Sequence, residues 1–130
     1  MKNGFLKVAV TTPDLRVADC EYNKNQMVEK VKKMAGEKVS LVCFPEFSLT
    51  GYTCGDLFLH DTLVEGAKDA LAAYCEETKS YEIVSVVGLP LDHNGKLYNV
   101  AAVIYGGKIL GFVPKAICQT IVNFMKHVSL

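Results

Sequence analysis

Residues 39–52 read Val39-Ser40-Leu41-Val42-Cys43-Phe44-Pro45-Glu46-Phe47-Ser48-Leu49-Thr50-Gly51-Tyr52, an apolar run that is interrupted by a proline and an acid. The run before Phe44 contains β-branched valines and is stopped by Pro45, which is typical of a buried strand. Glu46 therefore follows the carboxyl end of that strand, where open α/β sheets bind their ligands. This stretch predicts both a strand of the sheet and the place of the chemistry.

The surroundings of Glu46 favour acid–base chemistry. Its apolar neighbours, two phenylalanines and a proline, remove water from the carboxylate, as is common for a general base. Gly51 allows a sharp turn shortly afterwards, and Tyr52 brings a phenol to the same region. On position alone, however, a glutamate after a strand is more often an ion-pair partner or a cap.

The composition indicates a single domain without a charged binding surface. The chain has 130 residues, half of them hydrophobic, and its 14 basic and 14 acidic side chains cancel. This balance argues against nucleic-acid and membrane-surface binding, and no apolar run reaches the ~20 residues of a membrane span. The amino terminus lacks a signal-peptide pattern, and the five scattered cysteines lack C-x-x-C spacing. We therefore expect reduced thiols, no metal site and a cytoplasmic protein.

Alternating strand and helix patterns predict two β-α-β units with parallel strands. The predicted elements are a strand over 6–10, a helix over 20–35, a strand over 39–43, a helix over 61–80 and a strand over 83–89. Asp19 and Asp61 can cap the two helices, and Gly36 can end the first. The predicted core side of the second helix consists of Leu63, Ala67, Ala70, Leu71 and Tyr74.

The rest of the chain predicts a β-meander. Asn94-Gly95 and Gly106-Gly107 are tight-turn signals that flank a strand over 98–105, and a strand over 108–113 returns beside it. Residues 116–130 look weakly helical and belong to no clear element. We therefore expect an α/β chain with a mixed sheet.

Other reactive residues have ordinary explanations when they are considered singly. Lys115 follows a strand, where a lone lysine is usually solvated. Tyr52 would more often pack its ring locally than contact a ligand. Cys43 alternates into a strand and is expected to be buried and unreactive. His60 and His93 lack a partner histidine at ligand spacing and are expected at the surface or in turns.

Three separated segments, taken together, are more specific. They are Phe44 to Tyr52, Leu97-Tyr98-Asn99 and Gly111-Phe112-Val113-Pro114-Lys115. In this order and spacing they resemble the nitrilase, or carbon–nitrogen hydrolase, superfamily over about residues 5–115. Within it, the amino-terminal glutaminase domain of glutamine-dependent NAD synthetases is most similar to the stretch Leu49-Thr50-Gly51-Tyr52-Thr53-Cys54-Gly55-Asp56-Leu57-Phe58.

The resemblance implies a four-layer αββα sandwich with a Glu–Lys–Cys catalytic triad. It assigns Glu46 as the general base and Lys115 as the group that stabilises the tetrahedral intermediate, and it matches Tyr52 to a tyrosine that lines the site. A cysteine thiolate would attack the glutamine amide and form a thioester while ammonia leaves. No metal or cofactor is implied in this domain. ATP and nicotinic acid adenine dinucleotide would bind to a separate synthetase domain, which uses the ammonia, and the parent enzyme would be a homo-oligomer.

The sequence departs from the family at the nucleophile. The resemblance implies a cysteine several dozen residues beyond Lys115, and the sequence ends before that position. Cys118 does not replace it, because it follows the lysine too closely and its neighbours differ. We therefore expect residues 1–115 to form the amino-terminal half of the sandwich, with helices on one face of a mixed sheet and the other, apolar face uncovered. Residues 116–130 would be an atypical tail, and the chain alone would be inactive.

Two alternatives stay open on the sequence. One is a fragment of a stand-alone nitrilase-like amidase, against which the stretch after Tyr52 argues. The other is a non-catalytic binding or assembly module of the same fold, which a missing nucleophile would favour.

A frameshift after Lys115 would explain the tail. Residues 116–130 can be back-translated so that the frame two bases later encodes Asn-Leu-Pro-Asn-Tyr-Ser-Glu-Phe-Tyr-Glu-Thr-Arg-Gln-Phe, which is very similar to the family's continuation after its lysine. We expect the coding DNA to carry codons that permit this second frame and, further on, an in-phase cysteine codon. Sequencing the genomic DNA checks this, and a codon that blocks the shifted frame contradicts it.

Overall fold

The computed structural model describes residues 4–51 and 61–117, with the backbone alone at residues 61 and 115–117. These residues form a five-stranded mixed sheet and two α-helices. The elements are, in chain order, β1 (Val8–Val10), α1 (Cys20–Gly36), β2 (Leu41–Cys43), α2 (Asp61–Thr78), β3 (Val84–His93), β4 (Lys96–Tyr105) and β5 (Lys108–Ile117). The predicted α/β class and the predicted order of elements are confirmed.

The strands lie side by side in their chain order. β1, β2 and β3 are parallel, whereas β4 is antiparallel to both of its neighbours, β3 and β5. Parallel neighbours need long crossovers, which α1 and α2 supply, and antiparallel neighbours can be joined by tight turns. The two tight turns lie at the predicted positions, Asn94-Gly95 and Gly106-Gly107. In each turn both residues have a positive φ, as two-residue hairpin turns require. β5 therefore runs in the same direction as β2 and β3, and the carboxyl ends of all three lie at one edge of the sheet.

Both helices cover the same face of the sheet. α1 and α2 pack against each other, and α2 also packs on β3, as two successive crossovers of the same hand require. The five predicted core positions of α2 are all buried. The Tyr74 hydroxyl, inside this core, donates a 2.7 Å hydrogen bond to Ser85 Oγ, and burial raises the pKa of Tyr74 above its ordinary value. The core also contains Met27, Val31, Val42, Val87, Leu89, Ala102 and Ile104.

The two ends of α1 are capped in different ways. The Asp19 carboxylate accepts a 3.0 Å hydrogen bond from the Tyr22 N–H, as predicted for an N-cap. At the other end Gly36 is still helical, and Lys38 takes the left-handed conformation with φ +63°. The Lys38 N–H donates to the Ala35 carbonyl at 3.1 Å, and the next N–H closes a Schellman motif. The helix ends at Gly36, as predicted, but the residue in the left-handed conformation is Lys38 and not the glycine.

Several strand boundaries differ from the sequence pattern. β1 and β2 have three residues each, so both are shorter than predicted, whereas β3 continues past Leu89 to His93. β5 continues through Pro114 to Ile117, and this strand is at the edge of the described sheet, where proline is tolerated. The prediction of weak helix is therefore wrong for residues 116 and 117. Residues 118–130 lie outside the described residues.

The sheet face opposite the helices is apolar and partly open in the described part of the chain. Ala9 packs against the helix-side core, so its neighbours Val8 and Val10 point to the opposite face, where they are 58% and 82% exposed. Val113 on β5 is 58% exposed on the same side. An exposed apolar face of this kind is suited to being covered by further structure. Neither α1 nor α2 has the length and the apolar character that a membrane span requires.

Replacing Lys38 by glycine should stabilise the fold. The left-handed conformation costs a residue with a side chain about 1 kcal/mol, and glycine adopts it without that cost. We expect Lys38→Gly to raise the free energy of unfolding by about 1 kcal/mol in urea denaturation. Lys38→Ala is the matched control, because it removes the same charge and keeps the strain. Equal midpoints for the two variants would contradict this interpretation.

Candidate active site

The loop that carries Glu46 runs beside β3. This loop, residues 44–51, follows β2 directly and is called the Glu46 loop below. The Phe44 N–H donates to the Val86 carbonyl at 2.9 Å, and the Leu49 N–H donates to the Gly88 carbonyl at 3.1 Å. The chain thus leaves β2 but remains hydrogen-bonded to β3. Glu46 lies beyond the carboxyl end of its strand, as the sequence predicts.

The Glu46 loop is a compact turn with one strained residue. The Ser48 N–H donates to the Pro45 carbonyl at 3.1 Å, and the N–H groups of Thr50 and Gly51 donate to the Phe47 carbonyl at 3.1 and 2.8 Å. Phe47 has φ +55°, which is uncommon for an aromatic residue and disfavoured by its Cβ. Its side chain is buried, and burial of the ring opposes relaxation of the backbone.

The far end of the Glu46 loop is attached to the segment before α1 and to α1 itself. The Ala18 N–H donates to the Thr50 carbonyl at 2.7 Å, and the side-chain amide of Asn23 donates to the Leu49 carbonyl at 3.0 Å. Gly51 has φ +87°, and a Cβ there would lie 3.0 Å from Val17 Cα. The sharp turn predicted at Gly51 is therefore present and needs glycine for two reasons.

Gly88 on β3 allows the Glu46 loop to lie directly on the sheet. A Cβ at this position would be 2.5 Å from the Phe47 backbone nitrogen and 2.8 Å from the Pro45 carbonyl oxygen. Ser48 Oγ accepts a 3.1 Å hydrogen bond from the Gly88 N–H, so this close approach is also hydrogen-bonded. No role is predicted for Gly88 from the sequence, although an isolated glycine inside a strand often marks such a contact between backbones.

The carboxylate of Glu46 meets the side chain of Asn99. The Asn99 side-chain amide donates a hydrogen bond to Glu46 Oε1. Asn99 is only 3% exposed, and Glu46 is half-buried. Asn99 belongs to one of the segments that carry the family resemblance, but no role was predicted for it. The signal was available, because an asparagine inside an apolar strand must find a hydrogen-bond partner when it is buried.

Lys115 lies in β5 beside Asn99, as judged from the backbone. β4 and β5 pair Asn99 with Ala116 and Val100 with Pro114, so Lys115 is the extra residue of a bulge between these pairs. The prediction that Lys115 follows the end of its strand is corrected, since β5 continues two residues further. Its side chain lies outside the described part of the structure, and the predicted convergence with the Glu46 carboxylate stays a prediction.

The other candidates lie apart from this site or outside the described residues. His93 is an exposed residue at the end of β3, as predicted. Cys43 is half-buried rather than buried, because it points to the partly open sheet face. Burial raises the pKa of the Cys75 thiol, which disfavours its reactive thiolate form. Outside the described residues lie Tyr52, Cys54, His60, Cys118 and His127. In residues 4–51 and 61–117 no cluster of His, Cys, Asp or Glu could hold a metal ion.

A groove of about 630 Å³ lies elsewhere, between the first halves of α1 and α2. Its lining is mainly apolar and includes Lys24, whose ammonium forms an ion pair with Glu77. Neither Glu46 nor Asn99 lines this groove. The groove is therefore not the candidate site for acid–base chemistry, in spite of its volume.

The arrangement around Glu46 is suited to proton transfer. A half-buried carboxylate is held by a neutral amide donor on the sheet face that the helices leave open. The amide N–H donates to one carboxylate oxygen and so fixes the orientation of the carboxylate. A reactant could approach from the open side of the sheet.

The chain is similar in sequence to known proteins of one family. The family model for carbon-nitrogen hydrolase matches residues 7–116. The glutamine-dependent NAD(+) synthetase of Mycobacterium bovis is 34% identical over 126 residues, which is 97% of this chain and 19% of that protein. The enzyme of the same name from Aquifex aeolicus is 32% identical over 111 residues, 85% of this chain and 19% of its own length. The chain spans about a fifth of the length of these relatives.

Solved structures of related proteins are similar to this chain in fold. A glutamine-dependent NAD(+) synthetase from Cytophaga hutchinsonii superimposes with a TM-score of 0.78 at 26% identity, covering 84% of this chain and 18% of that one. An amidase from Nesterenkonia sp. has a TM-score of 0.71 at 16% identity, covering 88% of this chain and 44% of that one. The second likeness concerns the fold alone.

Replacing Gly88 by alanine should destabilise the chain and displace the Glu46 loop. The new methyl group would overlap backbone atoms of the loop, which cannot rotate away as a flexible side chain would. We expect Gly88→Ala to lower the free energy of unfolding by about 1–3 kcal/mol in urea denaturation. Gly111→Ala on β5 is the matched control, because a Cβ there meets nothing within 4 Å. Similar losses for both variants would show that the contact with the loop is not the cause.

Proposed function

This chain belongs to the carbon–nitrogen hydrolase family, and we propose that it is the amino-terminal part of a glutaminase domain in a glutamine-dependent NAD synthetase. The observation that carries the proposal is the Glu46 carboxylate, held by Asn99 on the open face of the sheet. The choice of glutamine as substrate is supported by the NAD synthetases, which are up to 34% identical to this chain.

The proposed reaction is amide hydrolysis through a thioester. Glu46 accepts the proton of a cysteine thiol, and the thiolate sulfur attacks the side-chain amide carbon of glutamine. The C–N bond of the tetrahedral intermediate then breaks, and the amine leaves as ammonia with the proton that Glu46 returns. Water, deprotonated by the same carboxylate, attacks the thioester and releases glutamate and the thiol. One base thus serves both halves of the reaction.

Lys115 and Tyr52 complete the proposed site. The ammonium group of Lys115 would stabilise the oxyanion of the tetrahedral intermediate, where negative charge develops on the former carbonyl oxygen. The position of its backbone beside Asn99 supports this role. Tyr52, which follows the Glu46 loop, would line the substrate pocket. The nucleophilic cysteine would come from a later segment of the domain, and Cys118 is not our candidate.

The proposal also concerns the longer protein. Residues 1–115 would be part of the hydrolase domain, and residues 116–130 the atypical tail. A synthetase domain would use ATP and the released ammonia to amidate nicotinic acid adenine dinucleotide, and the hydrolase domain itself would need no cofactor. The parent enzyme would be a cytoplasmic homo-oligomer. A stand-alone amidase is the weaker candidate, because the solved amidase shares 16% identity with the chain, whereas the NAD synthetases reach 34%.

Activity should depend on Glu46 and on sequence beyond this chain. We expect the purified 130-residue chain to release no ammonia from glutamine, and the complete enzyme to release it. In the complete enzyme Glu46→Gln should lower kcat by about 10²–10⁴-fold, because the base is lost while the shape is kept. Ammonia can be measured with a coupled dehydrogenase assay. Glu82→Gln is the control, since Glu82 is an exposed acid ahead of β3. Full activity of Glu46→Gln, or turnover by the chain alone, would refute the proposal.

A further inference from the structure

The geometry points to Asn99 as the positioning residue of the Glu46 carboxylate. This inference rests on the proposed function and adds a residue to it. Asn99 does not touch the reacting atoms in this assignment. It acts through Glu46 by fixing the position and the rotation of the base.

The burial of Asn99 is the first argument. It lies between apolar neighbours in β4 and is 3% exposed, on the sheet face that carries the Glu46 loop. A buried amide without a partner is strongly unfavourable, so its hydrogen bonds specify its surroundings. Its N–H group donates to Glu46 Oε1. A residue with only a packing role at this position would more often be apolar.

The second argument is the difference in rigidity between the two partners. Asn99 is held by pairing on both sides, with Pro90 on β3 and Ala116 on β5. Glu46 belongs to the Glu46 loop, which lies outside the strands. Functional groups are held more accurately by strands than by loops. Through this hydrogen bond, Asn99 on the rigid strand β4 restrains the Glu46 carboxylate in the loop.

The third argument is the chemistry of the donor. An amide N–H can only donate, so the bonded carboxylate oxygen must act as an acceptor. The amide therefore holds one carboxylate oxygen of Glu46 in a defined position. It also sets the direction of the second carboxylate oxygen. A base that is turned away from its proton loses about 10²-fold in rate for roughly 1 Å of displacement.

The test is a comparison of kcat and KM in the complete enzyme. Asn99→Leu removes the donor and retains bulk, and Asn99→Asp retains the shape but replaces the amide by a carboxyl group that carries the same charge as Glu46. We expect each variant to lower kcat by about 10–100-fold with KM within about twofold of the wild-type value. A purely structural role would instead lower the amount of folded enzyme and leave kcat per folded site unchanged. A kcat within about threefold of wild type in either folded variant would overturn the inference.

Two control variants distinguish a failure of the proposed function from a failure of the proposed role of Asn99. Ser85→Ala breaks the buried hydrogen bond with Tyr74 on the helix side of β3, so it should lower the melting temperature without changing kcat. Glu46→Gln tests the proposed function itself. If Glu46→Gln is fully active, the proposed function fails. If Glu46→Gln is inactive while the Asn99 variants retain kcat, only the role of Asn99 fails.

A measurement without any Asn99 variant covers the case in which both variants fail to fold. In ¹⁵N-edited NMR spectra, Glu46→Gln should shift the side-chain amide signals of Asn99. The amide signals of Asn23 serve as the internal control, because that side chain donates to the Arg16 and Leu49 carbonyls and not to Glu46. Equal, small shifts of both amides would overturn the inference.

Discussion

The contact between the backbone of the Glu46 loop and Gly88 is the constraint on which the site depends. The loop lies so close to β3 that a single Cβ at position 88 would overlap two of its backbone atoms. This approach brings the loop onto the sheet face opposite the helices, and only there can Glu46 reach Asn99. The strained φ of Phe47 is part of the same arrangement, since the turn must reverse within a few residues to remain on the sheet.

The parts of the fold that follow periodic patterns could be predicted from the sequence. The apolar stripe of α2, the N-cap at Asp19 and the glycine turns of the meander each depend on neighbouring residues, so local rules suffice. The left-handed residue after α1 was not predicted, because a lysine occupies this position, which glycine usually takes. The extent of β5 was missed for a similar reason. An edge strand tolerates Pro114, and the sequence pattern does not state which strand is at the edge.

The candidate site could be predicted only in part from residues that are neighbours in the sequence. Glu46 was predicted as a site residue from its strand and its apolar neighbours, both of which are local in sequence. Asn99 and Gly88 were missed as site residues because their roles arise from contacts across the sheet. Each nevertheless breaks a local rule, one as a buried amide in an apolar strand and the other as a glycine in a strand interior. Local inconsistencies of this kind are expected where structure serves function rather than stability.

The position of Glu46 makes the solvent exposure of its carboxylate depend on what covers the open sheet face. The acid lies on the same sheet face as the exposed valines of β1 and β5, so any element that covers this apolar face also removes water from the carboxylate. In the sandwich that the family resemblance implies, a second sheet would do both at once. Water would be excluded only when the remaining half of the domain is in place, and electrostatic interactions in the site would strengthen at that point. Asn99 matters more under those conditions, because a desolvated carboxylate depends on its remaining hydrogen-bond donors. In the part of the chain that the structure describes, the Asn99 amide on β4 already donates to Glu46.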